Sequence, residues 1–118
     1  MAEFALNKMI GKYDKETIMT MPETLNEVRR VIDDLDGEII QLLARRQKLV
    51  EQAGRLKPHN DARAVAAPER VAQVIEARRV QAISEGLSPE VAEAVWRAMI
   101  DAFINLEIEF NKAGSLHD

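Results

Sequence analysis

A single amphipathic stripe of more than thirty residues constrains the fold of this chain more than any other feature. Between residues 25 and 57 apolar side chains recur at alternating steps of three and four, which is the spacing of one helix face. The stripe consists of Leu25, Val28, Ile32, Leu35, Ile39, Leu42, Leu49, Ala53 and Leu56. Thr24 and Glu27 have the spacing of a capping box, and Pro58 disfavours helical geometry at the residue before it. The sequence therefore predicts one uninterrupted helix over this range.

The length of this helix predicts a partner subunit. At about 1.5 Å per residue it is roughly 50 Å long, whereas a compact chain of this size has a radius of gyration of about 13 to 14 Å. The apolar stripe persists along the whole length, so part of it must be buried on something outside the chain's own core. A second copy of the chain is the most economical solution. We therefore expect an interlocked homodimer.

Two further helices are predicted after a loop. Residues 58–67 lose the helical periodicity and begin with turn-forming residues. Pro68 suits the first turn of a second helix, and Gly86 suits its end. Ser88 is a good N-cap for a third helix, which continues to about Lys112.

No segment alternates polar and apolar residues as a strand would. The predicted fold class is therefore all-α, a three-helix protomer with one long N-terminal helix in an intertwined homodimer. The helical domain covers residues 22–113, preceded by an arm of unassigned role over 1–21 and followed by a short tail over 114–118.

Composition excludes several classes of function. Sixteen Lys and Arg against twenty Asp and Glu give a net charge of −4, which argues against nucleic acid as the main partner. The absence of cysteine excludes disulfides, thiolate nucleophiles and Cys-ligated zinc. We see no signal-peptide core and no membrane-spanning stretch, and therefore expect a cytoplasmic protein without membrane contact.

Four charged residues stand out against this background, and each has an ordinary structural interpretation. Arg46 lies at a position of the stripe where the pattern predicts an apolar residue, and it could fix the register of a helix pair. Lys57 could complement the helix dipole, and Glu69 is a favoured acid in a first helical turn. Glu107 follows apolar and aromatic residues at helical spacing. It either keeps its head in solvent or, if buried, meets a cation or holds its proton.

A shared site would give these charges a common role. Arg29 and Arg46 are 17 residues apart, about 25 Å along a helix, which is too far for one small molecule to bridge. In an antiparallel dimer Arg29 of one subunit can converge with Arg46 and Lys57 of the other. Three cations in an apolar channel would bind a small dicarboxylate. With no nucleophile, metal site or cofactor motif in view, an intramolecular rearrangement driven by positioning and electrostatics fits best.

The sequence resembles the all-helical class of chorismate mutases over roughly residues 22 to 112. The resemblance rests on the segment Leu25–Asp36 (LNEVRRVIDDLD), on Ile39–Arg46 (IIQLLARR) with Lys57 at the family spacing, on Pro68–Arg70 (PER), and on the acid in the third helix. It implies an entwined dimer of three-helix protomers, no cofactor and no metal.

The same resemblance implies a role for each candidate residue. Arg29, contributed across the dimer, and Arg46 would bind the two carboxylates of chorismate. Lys57 would contact the ether oxygen and a carboxylate, and Glu69 would accept from the ring hydroxyl. Glu107 would donate to the ether oxygen, for which it must be protonated. Arg46, Lys57 and Glu107 would thus be catalytic.

Two alternatives remain open. The segment Ala67–Val71 (APERV) resembles the related isochorismate pyruvate lyases, which share the fold and release pyruvate to leave salicylate. Glu107, which those lyases tend to replace with glutamine, favours the mutase. The second alternative is a non-catalytic helical dimerisation or regulatory module. In such a module Arg46 would fix the register of two paired helices and would bind no ligand.

Overall fold

The computed structural model describes residues 21–113, and every regular element in that part of the chain is an α-helix. The helices are α1 (Leu25–Leu56), α2 (Ala62–Ala66), α3 (Pro68–Glu85) and α4 (Pro89–Ala113). The prediction of an all-α fold with one long N-terminal helix is confirmed for these residues. The predicted arm, apart from Met21, and the predicted tail lie outside the described residues. None of helices α1 to α4 is long and apolar enough to cross a membrane.

Local side-chain contacts fix the starts of α1 and α4 where the sequence predicts them. At the start of α1 the Thr24 hydroxyl accepts from the N–H of Glu27 at 3.2 Å. The Glu27 carboxylate accepts from the N–H of Glu23 at 3.3 Å, one residue earlier than in a standard capping box. At the start of α4 the Ser88 hydroxyl accepts from the N–H of Val91 at 3.3 Å. These contacts satisfy amides that a helix start leaves without partners.

Gly86 ends α3 in the left-handed conformation that the sequence predicts for a C-terminal glycine. Its φ is 78°, a value that glycine adopts without steric cost. The N–H of Leu87 donates to the Ala82 carbonyl at 2.8 Å, and the N–H of Gly86 donates back into the last turn. This pattern is a Schellman-type end, and it turns the chain sharply into α4.

The prediction of a loop throughout residues 58–67 is wrong for its second half, where α2 forms. Asp61 caps this short helix, because its carboxylate accepts from the N–H of Ala64 at 3.0 Å. Ala67 closes it with a left-handed φ of 40°, which costs an L residue about 1 kcal/mol. Five residues cover too little of a helix to show a periodic pattern, so the sequence offered no signal beyond the capping residue.

The chain divides into two units, residues 1–43 and 44–118. In the first unit the described residues are 21–43, and most of their large apolar side chains are exposed. The exposed set is Met21, Leu25, Val28, Ile32, Ile39, Ile40 and Leu42. This length of the chain therefore exposes apolar side chains along most of its extent.

In the second unit α3 packs along α4, and α2 also packs against α4. The buried apolar residues of this core are Val65, Ile75, Ala82, Ala92 and Ile100. The buried face of α4 continues past Ile100 with two polar residues, Glu107 and Asn111, which lie one turn apart. Buried polar groups require partners, and these two residues lead to the candidate site.

Candidate active site

A cavity of about 140 Å³ lies within the second unit, and its wall is apolar except for four charged side chains. Valine, alanine, isoleucine and phenylalanine side chains from all four helices, together with Ala67, form the rest of the wall. The charged residues are Arg46 from α1, Lys57 just after α1, Arg70 from α3 and Glu107 from α4. Three cations and one acid in a largely apolar cavity favour an anionic ligand, because a low-dielectric wall strengthens charge interactions.

Arg46 lies half-buried on the cavity wall, where its guanidinium stacks on an aromatic ring. Its Cζ atom is 4.9 Å from the centre of the Phe103 ring. Burial lowers the pKa of Arg46 from its ordinary value, but a guanidinium starts so high that it stays charged at neutral pH. The stacking leaves the planar group oriented and able to hold a carboxylate through two N–H donors.

Lys57 and Glu107 form an ion pair at the cavity. Lys57 Nζ donates to Glu107 Oε2 at 2.7 Å and also contacts the Val65 carbonyl at 3.5 Å. Glu107 is only 6% exposed, which rules out a carboxyl head in open solvent. Of the two states predicted for a buried Glu107, the structure therefore has the one that meets a cation.

A glycine lets α1 approach α4 at this level. A Cβ atom built on Gly54 would lie 3.0 Å from both the Cγ and the carbonyl oxygen of Glu107. This is tighter than most Cβ contacts, so a larger residue requires Glu107 or its backbone to shift by a few tenths of an ångström. Gly54 lies one turn before Lys57, and the close approach therefore brings Lys57 within reach of α4.

Asn111 is a functional candidate that sequence reasoning missed. It is 3% exposed and lies one turn after Glu107 on the same face of α4. Its Nδ2 donates to the Gly54 carbonyl at 2.8 Å and to the Pro58 carbonyl at 3.0 Å. Its Oδ1 accepts from the N–H of Asp61 at 2.8 Å. The only signal in the sequence was an asparagine four residues after Glu107, on an apolar helix face.

The structure brings together Arg46, Lys57 and Glu107, and it places the other two predicted site residues elsewhere. Arg29 is exposed on α1 in the first unit. Glu69 has a side chain that is 79% exposed, and its Oε1 lies 3.8 Å from Arg63 Nη2. Neither residue lines the cavity of the single chain. The roles of all five residues stay predictions.

The comparisons with known proteins agree on one family. Residues 28–108 match the family described as chorismate mutase type II. The T-protein of Haemophilus influenzae is 42% identical over 79 residues, which is 67% of this chain but 21% of the T-protein. The isochorismate pyruvate lyase of Pseudomonas aeruginosa is 34% identical over 86 residues, 73% of this chain and 83% of the lyase. The chain thus spans about a fifth of the first relative and most of the second.

Proposed function

The chain belongs to the type II chorismate mutase family, and from that premise we propose that it is an enzyme that rearranges chorismate to prephenate. The observation that carries the proposal is the cavity of the second unit, where Arg46, Lys57 and Glu107 lie together among apolar side chains. The matched T-protein segment supports the same family.

The charges of the cavity suit the substrate. Chorismate carries two carboxylates, and three cationic side chains line the cavity of a chain whose net charge is −4. Arg46 is held by Phe103 in a position to bind one carboxylate through two hydrogen bonds. The cavity therefore has a local excess of positive charge, with three cations against the one acid Glu107.

The rearrangement needs stabilisation of one atom in particular. As the bond between ring carbon and ether oxygen breaks and the new carbon–carbon bond forms, negative charge grows on the ether oxygen. The Lys57 ammonium and a protonated Glu107 carboxyl can both donate to that oxygen, and each interaction strengthens as the charge develops. Lys57 contacts Oε2 of Glu107, so Oε1 is the oxygen that we expect to carry the proton. No nucleophile is required.

We further propose that the active form is a homodimer whose sites are shared. The exposed apolar residues of α1 would be buried against a second copy. Antiparallel pairing would bring Arg29 of the partner to the cavity that holds Arg46 and Lys57. This arrangement would add an arginine of the partner subunit to Arg46 and Arg70, which line the chain's own cavity.

The alternative function is isochorismate pyruvate lyase. One observation favours it, namely the alignment over 83% of the length of the Pseudomonas aeruginosa lyase. Both substrates are dianions of similar size, so the same cations would bind either. Glu107 favours the mutase, because the lyases that the chain resembles tend to carry glutamine at this position.

One experiment separates these functions. The purified chain is incubated with chorismate and, separately, with isochorismate, and prephenate, salicylate and pyruvate are followed. The proposal expects prephenate from chorismate as the dominant reaction. Salicylate and pyruvate from isochorismate without prephenate would establish the lyase instead. Consumption of neither substrate would leave the non-catalytic helical module.

A further inference from the structure

We infer that Asn111 is a positioning residue, which acts with Gly54 to hold Lys57 in place at the cavity. The inference rests on the proposed function, because Lys57 is one of its catalytic groups. The Asn111 cluster is defined as Asn111, Gly54, Pro58 and Asp61.

The cluster surrounds Lys57 in the sequence and fixes the chain on both sides of it. Asn111 Nδ2 donates to the carbonyl of Gly54, before Lys57, and to that of Pro58, directly after it. Its Oδ1 accepts from the N–H of Asp61. One buried side chain on α4 thus ties down the end of α1 and the start of the following loop. Because Asn111 and Glu107 lie on the same helix face, the cluster sets the position of Lys57 relative to Glu107.

Gly54 contributes the short distance between the helices. A Cβ atom at this position would lie only 3.0 Å from Glu107, so a side chain fits there only if Glu107 or α4 shifts by a few tenths of an ångström. The Gly54 carbonyl is also the acceptor for Asn111. The close approach of α1 to α4 and the hydrogen bond from Asn111 therefore both occur at Gly54. This residue lies one helical turn before Lys57.

Several charged groups surround Glu107, and the cluster holds one of them in place. Lys57 contacts Glu107, while Arg46 on α1 and Arg70 on α3 line the same cavity, and α2 contributes the Val65 carbonyl beside Lys57. His59 Nδ1 lies 2.9 Å from the Asn111 carbonyl oxygen, a further contact between the loop and α4. If Lys57 moves away, Glu107 loses the cation that contacts it, and the cavity loses the ammonium that the proposed function requires.

The first test is Asn111→Ala, with Asn105→Ala as the control on the exposed side of the same helix. Amide hydrogen exchange is measured at Asp61, whose N–H donates to Asn111. We expect exchange at Asp61 to quicken by about tenfold or more, with amides in the middle of α3 unchanged. We also expect kcat, expressed per folded molecule, to fall by about tenfold or more.

A loss of folded protein alone would not change kcat per folded molecule, and this separates positioning from general stability. Unchanged exchange at Asp61, or a kcat per folded molecule equal to that of the starting protein, would overturn the inference. The exchange measurement needs no substrate. If the protein turns over neither chorismate nor isochorismate, the proposed function fails while the role of Asn111 in holding the loop is still tested.

The second test is Gly54→Ala, with Gly37→Ala as the control. Both glycines lie in α1, but a Cβ on Gly37 meets nothing within 4 Å of the described chain. Alanine is the better helix former, so a purely local effect would strengthen α1 in both variants. We expect Gly54→Ala to lower kcat by about tenfold or more and Gly37→Ala to leave it unchanged. A Gly54→Ala protein with full activity would overturn the inference, and this variant decides the matter if Asn111→Ala fails to fold.

Discussion

Lys57 Nζ lies 2.7 Å from Glu107 Oε2 although the two residues are 50 positions apart in the sequence. The Glu107 side chain is 8% exposed and that of Lys57 is 30% exposed, so the lysine reaches a buried acid from the cavity side. A substrate carboxylate or ether oxygen that enters the cavity competes with Glu107 for the same ammonium. The protonation of Glu107 and the binding of substrate are therefore linked in the proposed mechanism.

The pH dependence of turnover follows from this link. A protonated Glu107 donates a hydrogen bond to the ether oxygen and an ionised one cannot, so we expect activity to fall as the pH is raised. Glu107→Gln donates at every pH and should show a flat profile, with a kcat within about tenfold of the starting protein. Steady-state rates from mildly acidic to alkaline pH check this. A flat profile in the unsubstituted protein, with Glu107→Gln unchanged in rate, would remove the role of Glu107.

Substitution of Lys57 tests whether its ion pair with Glu107 contributes to the free energy of unfolding. In Lys57→Met the buried carboxylate has no contacting cation, and we expect unfolding to cost about 1–3 kcal/mol less at neutral pH. The loss should shrink as the pH falls, because a protonated Glu107 has no charge to bury. Urea denaturation at one fixed protein concentration measures it, with the exposed Lys48→Met as the control. Equal stability of the two variants would contradict a structural contribution from the pair.

Adding Glu107→Gln to Lys57→Met extends the same prediction. The double variant has neither charge, so most of the lost stability should return while turnover stays absent. If the double variant were as unstable as Lys57→Met, the cost would come from lost packing of the lysine stem instead.

Mixing two inactive variants tests whether the sites are shared between subunits. Arg29→Ala and Arg46→Ala are unfolded together and refolded as a mixture. If Arg29 acts across the dimer, each mixed dimer has one complete site, and the mixture should recover about a quarter of the full activity. Arg46→Ala mixed with Lys57→Ala is the control, because both residues belong to one chain's cavity. No recovery in the first mixture would contradict a shared site.

Arg63 and Arg70 are close in the sequence but differ in whether they line the cavity. Arg70 lines the cavity, whereas Arg63 has a side chain that is 82% exposed and lies beside Glu69. We expect Arg70→Ala to raise KM for the substrate by about tenfold or more, since it removes one of three local cations. Arg63→Ala should stay within about twofold. A larger effect at Arg63 would show that the substrate binds outside the cavity.

The helices were predictable because their ends are encoded locally. Thr24, Ser88 and Gly86 each make the short-range capping contact that their residue type favours. Pro58 marks the end of α1 because a proline disfavours helical geometry at the residue before it. The short α2 was missed because a single capping residue, Asp61, is a weaker signal than a periodic stripe.

The candidate site was predictable in its residue types and, through the family resemblance, in the grouping of Arg46, Lys57 and Glu107, but not in its geometry. Arg46, Lys57 and Glu107 stood out as charges in apolar surroundings, but their separation in space depends on how closely α1 and α4 pack. That distance is set by Gly54, whose importance comes from a neighbour 53 positions later in the chain. Asn111 was missed for the same reason, since its partners are backbone atoms that only the folded chain brings near.

Formation of prephenate from chorismate, measured for the purified chain beside its Arg46→Ala variant, tests the proposed function most directly. The half-buried Arg46 stacks on Phe103 and is the cation within α1 that lines the cavity. We expect the unsubstituted chain to form prephenate, and Arg46→Ala to lose at least about 10²-fold in kcat/KM while it keeps the same oligomeric state as the unsubstituted chain. Absence of prephenate from the unsubstituted chain, or equal rates in the two proteins, would contradict the proposed mutase.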